Sequence, residues 1–156
     1  MSYDATTTPS SGDDTQLADY TRLRDNDKSL AGSGSSHDLG GSLNKFVEDT
    51  SFVDLPDGWD LEIDGTQLGG RTVKLEFNVI GETGTAVTVN VRLFNITDAG
   101  AVASSDTAVV NPGTTRTRGI SSALTLPTAA KRYKAQIKGS VGAAAKVAAR
   151  ARVIIT

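Results

Sequence analysis

The chain has 156 residues, 38% of them hydrophobic and only 5% aromatic, with 16 basic and 18 acidic side chains, one histidine and no cysteine. Without cysteine there is no disulfide, thiolate metal site or redox motif, and no apolar run approaches the roughly 20 residues that span a bilayer. One domain, or one domain with a tail, fits this length, with a core that must be aliphatic and thin. The net charge of −2 hides an asymmetry: residues 1–64 hold fourteen acids and four bases, and residues 65–156 hold four acids and twelve bases. Such a split marks an interaction tail or a self-complementary surface, or else acidic solvated loops beside a basic sheet face.

The start, MSYDATTTPSSGDD, has neither a basic n-region nor an apolar h-region, so it does not read as a secretory signal. Soluble synthesis inside a cell is expected. Residues 1–50 read as an extended, mostly irregular polar and acidic arm, because TTTPSSGDDT and AGSGSSHDLGGS cannot bury enough apolar area to offset chain entropy. Leu17, Tyr20, Leu23 and Leu30 are scattered anchors within it. Leu39, Leu43, Phe46 and Val47 have the spacing of a short amphipathic helix near residues 39–47, a reading that Gly40-Gly41 weakens. His37, alone in a Gly/Ser stretch, reads as a solvated linker residue.

Residues 51–156 read as a β-sandwich, with turn signals every 8–14 residues. LEID opens the series. Val73, Leu75, Phe77 and Val79 alternate with Thr72, Lys74, Glu76 and Asn78; Val87, Val89, Val91 and Leu93 alternate with Thr88, Asn90 and Arg92. Period-2 alternation marks strands with one buried and one wet face. AVASSDTAVV is a weaker strand, and RGISSALTL sets Ile120, Leu124 and Leu126 on one face. KRYKAQIKG turns Tyr133, Ala135 and Ile137 inward. KVAARARVIIT does the same with Val147, Ala149, Ala151, Val153 and Ile155, although its alanines also permit a helix on propensity alone. Seven or eight strands without a helix between them predict an all-β fold, a single antiparallel sandwich of jelly-roll type or a closed barrel.

Catalytic chemistry finds little support. The acids Asp54, Asp57, Asp60, Glu62 and Asp64 lack the register of a calcium loop and read as an acidic loop, or as a face that meets a basic surface. GETG and GSVG are hairpin turns that open no helix and cradle no phosphate. Asn95-Ile96-Thr97 matches a glycosylation sequon by chance. The basic stripe Lys131, Arg132, Lys134, Lys138, Lys146, Arg150 and Arg152 lacks the interleaved aromatics of a nucleic-acid face, so an acidic protein partner fits better. Trp59 reads as a core plug at the junction of tail and domain. No catalytic, cofactor-binding or metal-binding residue is predicted, and neither nucleic acid nor membrane is an expected partner.

The stretch "VRLFNITDAGAVASS…TRGISSALTLPTAAKRYKAQIKGSVG…ARARVIIT" resembles a recurrent β-sandwich pattern in virion proteins of tailed bacteriophages, over about residues 86–156. The resemblance rests on a Leu-aromatic-Asn-x-Thr-Asp turn, a VA-S strand, a Leu-x-Leu-Pro strand end, a Lys-x-Tyr-x-x-Gln-x-Lys strand and a closing Ala-Arg strand. It implies a capsid decoration (cement) protein or a head or tail appendage, with no catalytic residues. The expectation is a homo-oligomer, a trimer in the favoured form, bound to the major capsid protein or another virion protein on the outer surface of the head. Leu17, Tyr20, Leu23, Leu30 and Phe46 of the arm, with Lys134, Lys138, Arg150 and Arg152 of the body, form the candidate interaction surface. A phage tail, neck or fibre component, or a glycan-binding module exposing Trp59, Tyr133 or Phe94, is the competing expectation.

Overall fold

Among the described residues ten strands, alternating apolar and polar along most of their length, build two antiparallel sheets packed face to face. The computed structural model describes residues 34–110 and 112–156. In chain order the strands are β1 (Ser35–Val47), β2 (Val53–Asp54), β3 (Leu61–Asp64), β4 (Val73–Gly81), β5 (Thr88–Asn95), β6 (Gly100–Ala101), β7 (Thr107–Val110), β8 (Thr117–Ile120), β9 (Ala130–Gly139) and β10 (Val147–Ile155). The first sheet runs β1-β10-β4-β8. In the second, β9 and β5 pair at the centre; β2 and β3 share the far edge of β9, and β6 and β7 share the far edge of β5. Counting each shared edge as one lane, the ten strands fill eight lanes, ordered 1-8-3-6 and 2-7-4-5. This is the jelly-roll arrangement.

The core lies between the sheets. Val73, Leu75, Phe77 and Val79 of β4 and Val147, Ala149, Ala151, Val153 and Ile155 of β10 face Val89, Val91 and Leu93 of β5 and Tyr133, Ala135 and Ile137 of β9. The alanines of β10 have a packing role. Ala151 and Gly119 flank Phe77 in the strand register, and a Cβ at Gly119 would overlap the Phe77 ring. Small residues on both sides let the ring lie flat within the layer, where burying it contributes about 1.5–3 kcal/mol.

The segment near residues 39–47 is a strand, not a helix. β1 pairs along β10 with a bulge between Asp38 and Gly40, and Gly40 and Gly41 take φ values of +74 and +97 that a right-handed helix cannot contain. Leu39 is fully buried at the bulge. The sandwich therefore begins near residue 34, not at residue 51. His37 accordingly sits in β1, half-buried, opposite Val153 and 3.1 Å from the Ser35 hydroxyl through Nε2. The expected arm anchors Leu17, Tyr20, Leu23 and Leu30 lie outside the described residues.

Two further expectations shift. AVASSDTAVV divides into β6 and β7 because Ser104 takes φ +62 and Ser105 turns inward. The buried Ser105 hydroxyl shares its one proton between the backbone oxygens of Val102, at 2.7 Å, and Leu93, at 3.1 Å, and accepts from the Leu93 amide. Ile120 is 39% exposed while Leu124 is buried, because Gly119 takes the inward position beside Phe77 and Ile120 stands opposite outward-facing Glu76, whereas Leu124 bridges inward-facing Val73.

Candidate interaction surfaces

The sequence places Lys134 and Lys138 on β9 and Arg150 and Arg152 on β10. Because β9 belongs to the second sheet and β10 to the first, and both bury their alternate residues, the single basic stripe becomes two. The pairs emerge on opposite outer faces of the sandwich.

On the first sheet, Glu76 of β4 is flanked by cations from both neighbouring strands. Its carboxylate accepts from Arg152 of β10 at 2.6 Å and from Arg118 of β8 at 2.7 Å. Only 4% of Glu76 is exposed. The hydrogen bond from Arg118 is the main influence on its acidity; burial opposes it, and Arg152 adds to it, leaving the carboxyl below its ordinary pKa. At the sheet edge, Asp38 of β1 accepts from Arg150 at 2.6 Å and from the Gly40 amide at 2.9 Å. Burial alone would raise the Asp38 pKa, but these bonds outweigh it and lower the value. A polar groove of about 420 Å³ opens here, lined by Ser36, Asp38, Glu76, Asn78, Arg116 and Arg150 among others. It adjoins a second depression of about 300 Å³ that shares Asn78, Arg116 and Arg150.

The outer face of the second sheet is organised around aromatic rings. The Arg92 guanidinium lies 3.9 Å from the centroid of Phe52 and 5.6 Å from that of Phe94. Lys138 stands 4.6 Å from Phe52, and Lys134 stands 5.6 Å from Phe94. Cations over ring faces at these distances are attracted by the ring quadrupole. Arg92 also donates twice to the Gln136 side-chain oxygen, and Asp54 accepts from Gln136 and Lys134. For Asp54, too, burial pushes the pKa up and these partners bring it below the ordinary value.

The acidic run 54–64 does not converge on one point. Asp54 meets Lys134, Asp57 meets Lys45, and Asp60 meets Arg132, while Asp64 caps a short 3-10 turn through the Thr66 amide. Two of these acids thus meet the basic residues of β9, as an acid face on a basic surface requires. Among the described residues no group of three or more His, Asp or Glu side chains could hold a metal ion. Trp59 is not a core plug: it is 52% exposed, with its ring against Gly40 and Nε1 donating to the Asp38 backbone oxygen at 2.9 Å. Phe46 is half-buried on β1.

Of the expected surface residues, the fold brings Arg150 and Arg152 together and separates them from Lys134 and Lys138. It adds Arg116, Arg118, Glu76 and Asp38 to the first face and Phe52 and Arg92 to the second. Arg116 and Arg118 carried a readable signal, the alternation Arg116-Thr117-Arg118 that leads into β8; Glu76 carried none beyond its place on a wet face.

No family model matches the chain, and no curated protein matches it. Solved structures do. A chain of the infectious bursal disease virus Gx strain is 14% identical with a TM-score of 0.47, over 78% of this chain and 31% of that one. The VP2 subviral particle of the same virus gives 14% identity and a TM-score of 0.44 over the same shares. The carbohydrate-binding module CBM36, solved with calcium and xylotriose, is 11% identical with a TM-score of 0.43, over 76% of this chain and 97% of that one. The present chain thus spans about a third of the length of the viral chains it matches.

Proposed function

We propose that the chain is a non-enzymatic structural virion protein, a capsid decoration protein that binds the major capsid protein and stabilises the head. The observation that carries this reading is the division of the cations between two opposite outer faces. A small body charged on both sides can touch two neighbours at once, and many such contacts repeated over a shell add up by avidity. Residues 1–33 act as an arm whose Leu17, Tyr20, Leu23 and Leu30 anchor on neighbouring subunits, and Phe46 of β1 adds to the body's contacts. The protein works as a homotrimer on the outer head surface, after synthesis in the host cytoplasm; closed symmetry lets one patch serve every copy. The test is to add the purified protein to heads assembled without it. Saturable binding and greater resistance to heat or osmotic shock are expected, and heads that neither bind it nor gain resistance end the cement reading.

The half-exposed indole of Trp59 favours a second reading, a tail, neck or fibre component that recognises host-surface glycan. Against it, Tyr133 is fully buried and the Phe94 ring lies beneath Arg92 and Lys134. A glycan array with reproducible hits that vanish in Trp59→Ala would displace the first reading.

A further inference from the structure

The groove on the first sheet is short of negative charge. Arg116, Arg118, Arg150 and Arg152 stand in or beside it, answered among the described residues by two carboxylates, Glu76 and Asp38. Glu76 is shared by Arg118 and Arg152, and Asp38 takes Arg150. Arg116, exposed on the approach to β8, has no hydrogen-bond or ion-pair partner among the described residues. Two positive charges are therefore unmatched in one concave place. On the second sheet Lys134, Arg132 and Lys131 each hold a carboxylate; among the described residues Arg92 and Lys138 do not, but both lie over the Phe52 ring and Arg92 is bonded to Gln136, whereas Arg116 has neither kind of contact.

The geometry points to this groove as the docking site for an extended acidic polypeptide segment of a neighbouring subunit, with Arg116 as its anchor. The shape fits a strand-like occupant, since the two depressions join through Asn78, Arg116 and Arg150 into one trough that borders β1 from Ser36 to Asn44. Alternate side chains of an extended segment lie about 7 Å apart along one face, so successive acids can meet separate guanidiniums. Ser42, Asn44 and Asn78 offer hydroxyl and amide groups for its backbone. Among the described residues no aromatic side chain lines either depression, so they offer a nucleic acid no base-stacking platform. That the segment belongs to a virion subunit rests on the reading above; its acidic chemistry does not.

The test uses the full chain and a fluorescein-labelled synthetic peptide of about eight residues with Asp at alternate positions, beside a counterpart with Asn for every Asp. Binding is read by fluorescence anisotropy at about 50 mM and about 300 mM salt. The Asp peptide binds at low salt and weakens at high salt, and the Asn peptide does not bind. Arg116→Ser loses about tenfold in affinity, the scale of one charge-assisted hydrogen bond. Lys138→Ser, on the opposite face, binds as the unaltered chain does. Equal affinity in Arg116→Ser, equal loss in Lys138→Ser, or tighter binding of a sulfated dextran fragment than of the peptide would overturn the assignment. Thermal melts of both variants matching the unaltered protein establish that the fold is kept. Heads that bind unaltered chain and Arg116→Ser equally well sink the groove and leave the decoration reading standing; peptide binding without head binding does the reverse.

Discussion

Glu76 and Arg152 stand directly opposite each other in the β4–β10 register and close a 2.6 Å ion pair on the outer face of the first sheet. With Arg118 on its other side, the Glu76 carboxylate is almost wholly covered, while both guanidiniums stay half exposed. Glu76→Gln removes the charge but keeps the shape, leaving two arginines facing each other. Solvent screening of the exposed partners limits the loss to about 1–2 kcal/mol at neutral pH. Because the folded state lowers the Glu76 pKa from its ordinary 4.5, its contribution is complete above that pH and disappears as the pH falls through the lower folded value. Urea unfolding across the acid range should therefore show the two proteins converging below pH 4.5 and separated at neutrality.

Gly40 is required twice over. Its φ of +74 belongs to the left-handed region, and a Cβ there would lie 2.6 Å from both the Trp59 ring and the Asp57 backbone oxygen. Gly70 has a similar φ of +80 with open space around it, so Gly70→Ala isolates the backbone term of about 1–2 kcal/mol. Gly40→Ala should cost about 1–3 kcal/mol more than that, because the clash adds overpacking to the strain. Trp59 is the only tryptophan, so the Gly40 variant alone should also change intrinsic fluorescence in the folded state.

On the second sheet, Phe52 supplies the ring beneath Arg92 and Lys138. Phe52→Leu keeps apolar bulk and removes the quadrupole, which at a partly exposed site is worth about 0.5–1 kcal/mol. Thermal unfolding at low and high salt should show a small loss that depends weakly on salt. A loss several times larger would mean that Phe52 acts mainly through packing.

The regular strands were legible because each pairs without a break with another regular strand, β4 with β10 and β5 with β9. β4, β5, β9 and β10 pair over long uninterrupted registers, so alternation in sequence maps directly onto inner and outer faces. β1 was hidden because its bulge at Leu39 and the register break between Ser42 and Val47 scramble the period, leaving apolar spacings that imitate a helical face. Arg150 and Arg152 could be read as outward. That Lys134 and Lys138 leave the opposite side could not, since it depends on which strands share a sheet, a nonlocal fact. The groove was invisible for the same reason: Asp38, Glu76, Arg118 and Arg150 come from β1, β4, β8 and β10, and only their pairing brings them together.

Tyr133 faces inward from β9, opposite Leu61 and Asn95 in its two registers, and is wholly buried. Its hydroxyl has no hydrogen-bond partner among the described residues, so the folded state bears the cost of desolvating it. Tyr133→Phe deletes that group and keeps the ring, and should leave stability unchanged or raise it by about 1 kcal/mol. Burial, with a smaller push from the Asp98 charge, raises the phenol above its ordinary value of 10.0. The folded chain then holds a proton that the unfolded chain releases, so stability falls as the pH rises above 10. Tyr133→Phe should remove that part of the alkaline loss, and ultraviolet titration should show one of the three tyrosines ionising late in the unaltered protein and missing from the variant. A variant less stable than its parent at neutral pH would mean that the hydroxyl has a partner after all.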